Sequence, residues 1–244
     1  MVFRGSIHLE DCMSLEGAPV VPLAGYTRRP LYNYRNVHSG TGLDEFPDAE
    51  LNAALHAGYD MIVLFVKGFD QSAAGYRNFN DIIKRAKSFG LDTMFYNYMP
   101  SFKHPDEEDA EEFFDSIYGE LFRRYPDAAG ICMVGESMEF PSKDPATTGK
   151  KWRDSLVDGI PDTRPSPGWH PCSDYPAYIS AVKKAIHAVK PDAKINFSTY
   201  NWGYTPLELR KKFLQNLPEG ITLEVCYEIF SEKTLEGLNT PIMD

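Results

Sequence analysis

Two glutamates, Glu136 and Glu228, stand where the sequence pattern suggests catalytic carboxyl groups. Glu136 ends the apolar run AGICMVGE, Glu228 falls within the run ITLEVCYEIF, and both runs are typical of buried strands. Because alternate strand residues face the same side, Glu136 shares a face with Cys132, and Glu228 shares one with Cys226. If both faces line one cavity, the pair suits cleavage of a glycosidic bond. That reaction needs one carboxylic acid to protonate the leaving oxygen and a second carboxylate as nucleophile or base.

The same pair of glutamates could instead form a buried ionic network with Arg35 or Lys67, and the sequence leaves this alternative open. Glu224 lies lower in the second run, so we expect its role to be structural. Glu139 follows the first glutamate by three residues, in a loop, where it could hold a sugar hydroxyl or face water.

Polar and aromatic side chains gather at the predicted strand ends, which is where a parallel barrel holds its active site. Arginine suits a carboxylate because its fork is bidentate, and flat aromatic rings can pack against the apolar faces of sugars. The predicted substrate-binding residues are Arg35, His38, Lys67, Asn97, Tyr98, Glu139, Trp152, Trp169, Tyr200, Asn201 and Trp202. For each aromatic residue, packing beneath a loop remains the alternative, and for His38 the alternative is a structural position at the rim.

Short apolar runs alternate with amphipathic helical patterns, which indicates parallel strands joined by helical crossovers. The predicted strands lie near 30–38, 59–68, 91–99, 129–136, 193–203 and 221–230, and the helices near 47–57, 79–89, 175–190, after 105 and after 206. No glycine-rich phosphate fingerprint follows a strand, which favours a TIM-type (β/α)-barrel over an open doubly wound sheet. The chain shows about six βα units where a full barrel has eight, so we expect an incomplete barrel that lacks its C-terminal units.

The predicted organisation is a lead-in segment over 1–29 and one partial (β/α)-barrel catalytic domain over 30–244. A chain of 244 residues with 43% hydrophobic content suits a single core. The run 136–172 lacks periodicity and is rich in Pro, Gly and Ser, so we predict a long inserted loop there, and such loops are usually functional. An incomplete barrel exposes two sheet edges, which a homo-oligomer or an additional segment could cover.

Charge and composition exclude several function classes. A net charge of −10 repels phosphate backbones, so we expect no nucleic-acid partner. No window approaches the roughly 18 apolar residues of a membrane span, and no signal peptide is evident, so we expect a cytoplasmic protein without membrane contact if the start is native. The four cysteines lie far apart, and the histidines show no metal-ligand spacing, so we expect free thiols, no metal and no cofactor.

The segments YPDAAGICMVGES, PSPGWHPCSDYP and STYNWG resemble the catalytic barrels of the α-glucuronidase and β-hexosaminidase-like glycoside hydrolases, over roughly residues 30 to 230. The resemblance implies a general acid at the end of the fourth strand, which corresponds to Glu136, and a water-activating carboxylate on a later strand, which corresponds to Glu228. The hexosaminidases carry adjacent Asp-Glu where this sequence reads Gly135-Glu136. This departure argues against N-acetylhexosamine specificity, because in those enzymes the Asp orients the acetamido group.

The leading hypothesis is a glycoside hydrolase that acts on a carbohydrate, with Glu136 as acid and Glu228 as base or electrostatic stabiliser. The alternative is a non-catalytic or degenerate carbohydrate-binding barrel. A third hypothesis, a metal-dependent aldolase or isomerase on the same fold, would need converging metal ligands.

Overall fold

A computed structural model provides the structure of the chain. It describes residues 2–20, 30–32, 34–39, 43–99, 101–135, 143, 156–157, 160–161, 173–199, 207–225, 227–235 and 238–243. Among these residues, no helix combines the length and the apolar character that a bilayer-crossing segment requires.

Six parallel strands form the central sheet, and helices lie between successive strands along the chain. The strands are β1 (Asn36–His38), β2 (Met61–Val66), β3 (Asp92–Asn97), β4 (Gly130–Val134), β5 (Lys194–Ser198) and β6 (Ile221–Glu224). The helices are α1 (Val2–Glu16), α2 (Asp48–His56), α3 (Phe79–Ser88), α4 (Ala110–Phe114), α5 (Glu120–Arg124), α6 (Tyr175–Val189) and α7 (Leu207–Gln215). A π-helical turn, Asp115–Gly119, joins α4 to α5. Three two-stranded antiparallel hairpins complete the described structure.

The order of the strands identifies the architecture as part of a TIM-type (β/α)-barrel. Each strand pairs in parallel with the next one along the chain, so the spatial order is β1-β2-β3-β4-β5-β6. A doubly wound sheet would reverse this order at a switch point, and the described sheet has no reversal. The prediction of an incomplete barrel is confirmed for the described residues, in which β1 and β6 are the two edges of an open sheet.

The main hydrophobic core lies between one face of this sheet and the helices. Alternate residues of the strands, such as Ile62, Phe95, Ile131 and Phe197, are buried in one cluster with helical side chains. Full burial of side chains of this size contributes about 1.5 to 3 kcal/mol each, so this outward face of the strands dominates the stability of the fold. The opposite, inward face has a much smaller buried cluster of Met61, Met94 and Cys132.

Helix α3 shows how the sequence forms the outer layer. The Asn78 side chain accepts a hydrogen bond from the Asp81 amide at the start of the helix, and Gly90 follows its end with a φ of 75°. Phe79, Ile82, Ile83 and Ala86 recur at helical spacing and are all buried against the sheet. This placement confirms the predicted helix and its apolar face.

A glycine at the start of β4 allows the neighbouring strand to approach closely. A β-carbon on Gly130 would lie only 2.0 Å from the carbonyl oxygen of Lys194 on β5. Any larger side chain would therefore push the two strands apart, so the residue type is set by backbone packing.

Three predicted elements need correction. The first strand covers Asn36–His38 and not 30–38. The helix after Pro105 begins at Ala110, because the acidic residues that directly follow Pro105 lie in turns. The predicted sixth strand is two elements: β6 ends at Glu224, and a separate strand, Tyr227–Leu235, pairs antiparallel with Leu238–Met243.

Candidate active site

A cavity of about 380 Å³ opens on the inward face of the sheet. Its volume falls within the range of small-molecule sites. Because side chains alternate along a strand, the residues that line it come from every second position and lie mainly towards the carboxyl ends of the strands. The lining residues are Asn36, His38, Val63, Phe65, Met94, Tyr96, Tyr98, Cys132, Ser198 and Glu224.

Aromatic rings form one wall of this cavity. Phe65 and Tyr98 stack with ring centroids 5.7 Å apart and an interplanar angle of 8°. Tyr96 lies 5.0 Å from Phe65 and 5.6 Å from Tyr98, and the His38 ring meets Phe65 edge-on at 5.4 Å. Burial raises the pKa of Tyr96 well above its usual value, so its hydroxyl remains a neutral hydrogen-bond donor. The wall therefore combines flat apolar faces with polar tips.

Polar groups lie beside the aromatic wall. The Cys132 thiol donates to Oε2 of Glu224 over 3.6 Å. The Ser198 hydroxyl lies next to Tyr96, but no described group completes a hydrogen bond to its buried oxygen with acceptable geometry. The cavity thus presents a carboxylate, a thiol and a hydroxyl that still needs a hydrogen-bond partner.

Asp44 supports the rim of the cavity from behind. Its Oδ2 accepts the backbone N–H of Phe65 at 3.1 Å, and its Oδ1 accepts the Ser39 hydroxyl at 3.1 Å. Burial raises the pKa of this carboxyl to about 6. The side chain has no solvent exposure, so Asp44 cannot touch a ligand and acts by holding the loop after β1 against β2.

The strand that leads to Glu136 is fixed at its last described residue, Gly135. The Gly135 N–H donates to the Ser198 carbonyl at 2.7 Å, which extends the β4–β5 ladder. The Gly135 carbonyl accepts the buried Tyr175 hydroxyl at 2.6 Å. Both polar groups of this residue are satisfied, so the chain leaves β4 at a defined point beside the cavity.

The structure brings two of the predicted site residues to the cavity. His38, at the end of β1, and Tyr98, just after β3, both line it. Their contact with substrate stays a prediction. Lys67 directly follows β2 but is exposed and is not among the lining residues.

Arg35 and Asn97 lie elsewhere, and these two predictions need correction. Arg35 precedes β1, at the amino-terminal end of the sheet, where its guanidinium makes two hydrogen bonds of 2.9 Å to Asp60. Asn97 faces the helices: it is 1% exposed, and its amide donates to the Tyr118 hydroxyl at 3.0 Å. Arg35 precedes the first strand, and Asn97 alternates with the cavity-lining Tyr96 and Tyr98, so its side chain points to the opposite face.

The remaining predicted residues cannot be placed at the cavity. Glu228 lies in the antiparallel hairpin opposite Ile242, which corrects its position at the end of the sixth parallel strand. The others lie outside the described residues and are Glu136, Glu139, Trp152, Trp169, Tyr200, Asn201 and Trp202.

The apolar run ITLEVCYEIF does not reveal Glu224 as a cavity residue, because it suggests a sixth strand that continues to Glu228. Tyr96 is not among the predicted substrate-binding residues, and Cys132 is predicted only as a free thiol on the face shared with Glu136. Strand alternation was the available signal: Tyr96 shares its face with Tyr98, and Ser198 is in register with Glu224. Within the described residues, no group of three or more His, Cys, Asp or Glu side chains could hold a metal ion.

Several solved structures are similar to this chain, and glycoside hydrolases are among them. An O-GlcNAc hydrolase mutant from Thermobaculum terrenum is 12% identical, with a TM-score of 0.48, over 79% of this chain and 40% of that protein. An endoglucanase from Thermotoga maritima is 13% identical, with a TM-score of 0.44, over 78% of this chain and 59% of that one. A D-psicose 3-epimerase from Clostridium cellulolyticum is 11% identical, with a TM-score of 0.42, over 77% and 61%.

This chain therefore spans less than two thirds of the length of each of these three proteins. No protein-family model matches the sequence, and no curated protein does. At these identities and TM-scores the comparisons establish no activity, so the assignment of the fold rests on the strand order itself.

Proposed function

We propose that this protein is a glycoside hydrolase in which Glu136 is the general acid. The observation that carries the proposal is the cavity at the carboxyl ends of the parallel strands, where a flat aromatic wall faces a carboxylate. In (β/α)-barrel enzymes this end of the barrel holds the active site. An aromatic wall can pack against the C–H face of a sugar ring, and carboxyl groups at the same cavity supply the proton transfers that glycosidic cleavage needs.

The role of Glu136 follows from its position after β4. Glu136 follows Val134, the last residue of β4, by two positions, at the carboxyl end of the strand whose Cys132 faces the cavity. The hydrogen bonds of Gly135 hold the preceding backbone at this end of the sheet. A carboxylic acid there could protonate the glycosidic oxygen as its bond to the anomeric carbon breaks.

The first experiment compares Glu136→Gln with wild type on nitrophenyl glycosides of neutral, amino and uronic sugars. We expect kcat to fall by about 100-fold to 10,000-fold, because a positioned general acid contributes about that much. Glu208→Gln is the control, since Glu208 pairs with Lys211 on the exposed side of α7, with 82% of its side chain exposed. Unchanged hydrolysis by Glu136→Gln would remove the proposed role.

A carbohydrate-binding barrel without turnover is the second candidate function. The aromatic wall and the unpartnered Ser198 hydroxyl would serve binding alone equally well. Isothermal titration of the same sugars separates the two functions: binding with no hydrolysis by wild type would favour the second candidate and contradict the first.

A further inference from the structure

Glu224 is held over the inward face of the sheet. It is the last residue of β6, and its carbonyl accepts the Thr199 amide of the neighbouring strand at 3.0 Å. Its side chain meets the Cys132 thiol of β4, although β5 lies between β4 and β6 in the sheet. The carboxylate must therefore reach across β5, towards the strand that leads to Glu136, and it does not turn to solvent at the sheet edge.

The hydroxyl on the intervening strand is ready to bind a small polar molecule. Ser198 is the register partner of Glu224 on β5, so the two side chains lie on the same face and side by side. The Ser198 side chain is 1% exposed and lines the cavity, and its hydroxyl lies beside Tyr96 without a hydrogen bond of good geometry. A buried hydroxyl without a well-aligned partner is unfavourable, and a water molecule between Ser198 and Glu224 would supply one.

From this arrangement, and resting on the proposed hydrolase function, we propose that Glu224 is the general base that activates the attacking water, with Ser198 and Cys132 as positioning residues. The Ser198 hydroxyl holds the water, and the Cys132 thiol orients the carboxylate. This assignment replaces Glu228 as the second carboxyl group of the site.

The reaction balances with two carboxyl groups and one water. The water oxygen bonds to the anomeric carbon while one of its protons passes to the Glu224 carboxylate. The bond from the anomeric carbon to the glycosidic oxygen breaks, and that oxygen takes the proton of Glu136. The products are a hemiacetal sugar and an alcohol, and solvent returns the proton from Glu224 to Glu136. Because water attacks opposite the leaving group, the anomeric configuration inverts.

Leaving-group dependence distinguishes the base from the acid. We expect Glu224→Gln to lower kcat by at least about 100-fold on both nitrophenyl and dinitrophenyl glycosides, because water must be activated in either case. Glu136→Gln should recover most activity on dinitrophenyl glycosides, whose leaving group needs little protonation. Glu219→Gln is the matched control, because Glu219 is an exposed glutamate just before β6, and it should behave as wild type.

The thiol is tested by the separate effects of its removal on kcat and KM. Cys132→Val removes the hydrogen-bond donor that orients the Glu224 carboxylate, so kcat should fall while KM stays close to the wild-type value. Cys132→Ser keeps a donor and should restore kcat towards wild type. A role in packing alone would change the thermal stability of both variants without this difference in kcat.

The outcomes separate this inference from the proposed function. If Glu136→Gln loses activity while Glu224→Gln does not, or if nuclear magnetic resonance shows a product with retained configuration, the inference is wrong and the hydrolase proposal stands. If wild type cleaves none of the glycosides, both the hydrolase proposal and this inference are wrong. Should Glu224→Gln not fold, as judged by circular dichroism, the Cys132 variants decide: a kcat of Cys132→Val equal to that of wild type overturns the inference.

Discussion

The two faces of the same six strands differ in how completely their side chains are packed. On the outward face, aromatic and aliphatic residues are buried against helices, and the polar Asn97 has partners in Tyr118 and the Met99 amide. On the inward face, the buried cluster is small, and the side chains border an open cavity. Since strand residues alternate between the faces, neighbours in sequence have opposite tasks: one stabilises the fold, and the next is available for a ligand.

The difference also appears in the aromatic residues. On the outward face, Phe197 lies among other buried rings, with Phe213 at 4.9 Å and Tyr175 at 5.2 Å between ring centroids. On the inward face, Phe65 and Tyr98 stack beside open cavity space and are only partly buried. Rings of the first kind contribute to stability through burial, while rings of the second kind keep area that a ligand can cover.

The adjacent pair Phe197 and Ser198 gives the largest expected contrast. Phe197→Ala should lower the free energy of unfolding by about 3 to 5 kcal/mol, because it removes a fully buried ring and leaves a cavity. Ser198→Ala should change it by less than about 1 kcal/mol, or raise it, because the lost hydroxyl has no partner to leave unpaired. Urea unfolding followed by circular dichroism measures both, and equal losses would contradict the division between the two faces.

Asp44 lies in the loop after β1, beside the rim of the cavity. Its contribution to the free energy of unfolding depends on pH. Its pKa is about 6 in the folded state and 3.8 when unperturbed, so the folded protein binds the proton more tightly than the unfolded chain. Its effect on stability is therefore absent below about pH 4, becomes unfavourable as pH rises to about 6, and is constant above that.

We expect Asp44→Asn to gain stability relative to wild type across this window, by up to about 3 kcal/mol at neutral pH. An asparagine oxygen can still accept the Phe65 amide, and its NH₂ group can face the Ser39 hydroxyl, so the contacts of Asp44 have neutral replacements. Urea unfolding of both proteins from pH 4 to 7.5 measures the difference. A difference that does not vary with pH would show that the carboxyl is not the titrating group.

The fold could be predicted from the sequence because hydrophobic periodicity encodes it directly. Runs such as MIVLFV, buried at nearly every position, indicate parallel strands covered on both sides, and the 3.6-residue period of α3 identifies its buried face. The helix α1 was not anticipated, since nothing in its apolar pattern distinguishes it from a lead-in segment.

The site was harder to predict because it depends on where each strand ends. The first strand begins at Asn36, several residues later than the sequence pattern predicts. Arg35 therefore lies at the amino-terminal end of the sheet and not at the cavity. The sequence pattern predicts a sixth strand that continues to Glu228, but β6 ends at Glu224 and Glu228 lies in a different sheet. The alternation rule itself is sound, since Tyr98 and Cys132 line the cavity as it requires. What the sequence lacks is the point at which hydrogen bonding between strands stops, and that depends on tertiary contacts.

A network of three buried hydroxyl groups packs on the outward face of the sheet. Removing one of these hydroxyls should lower the free energy of unfolding only slightly and should leave activity unchanged. The Tyr178 hydroxyl lies 2.6 Å from that of Tyr118 and 2.8 Å from that of Ser101, and all three residues are buried. Tyr178→Phe should lower the free energy of unfolding by about 1 to 2 kcal/mol, because Ser101 and Tyr118 can still bond to each other over 2.8 Å. Tyr76→Phe is the control, since Tyr76 is 63% exposed and should change stability negligibly. Glycoside hydrolysis or sugar binding by Tyr178→Phe should match wild type at temperatures where both are folded, and a fall in kcat there would show that the two faces are coupled.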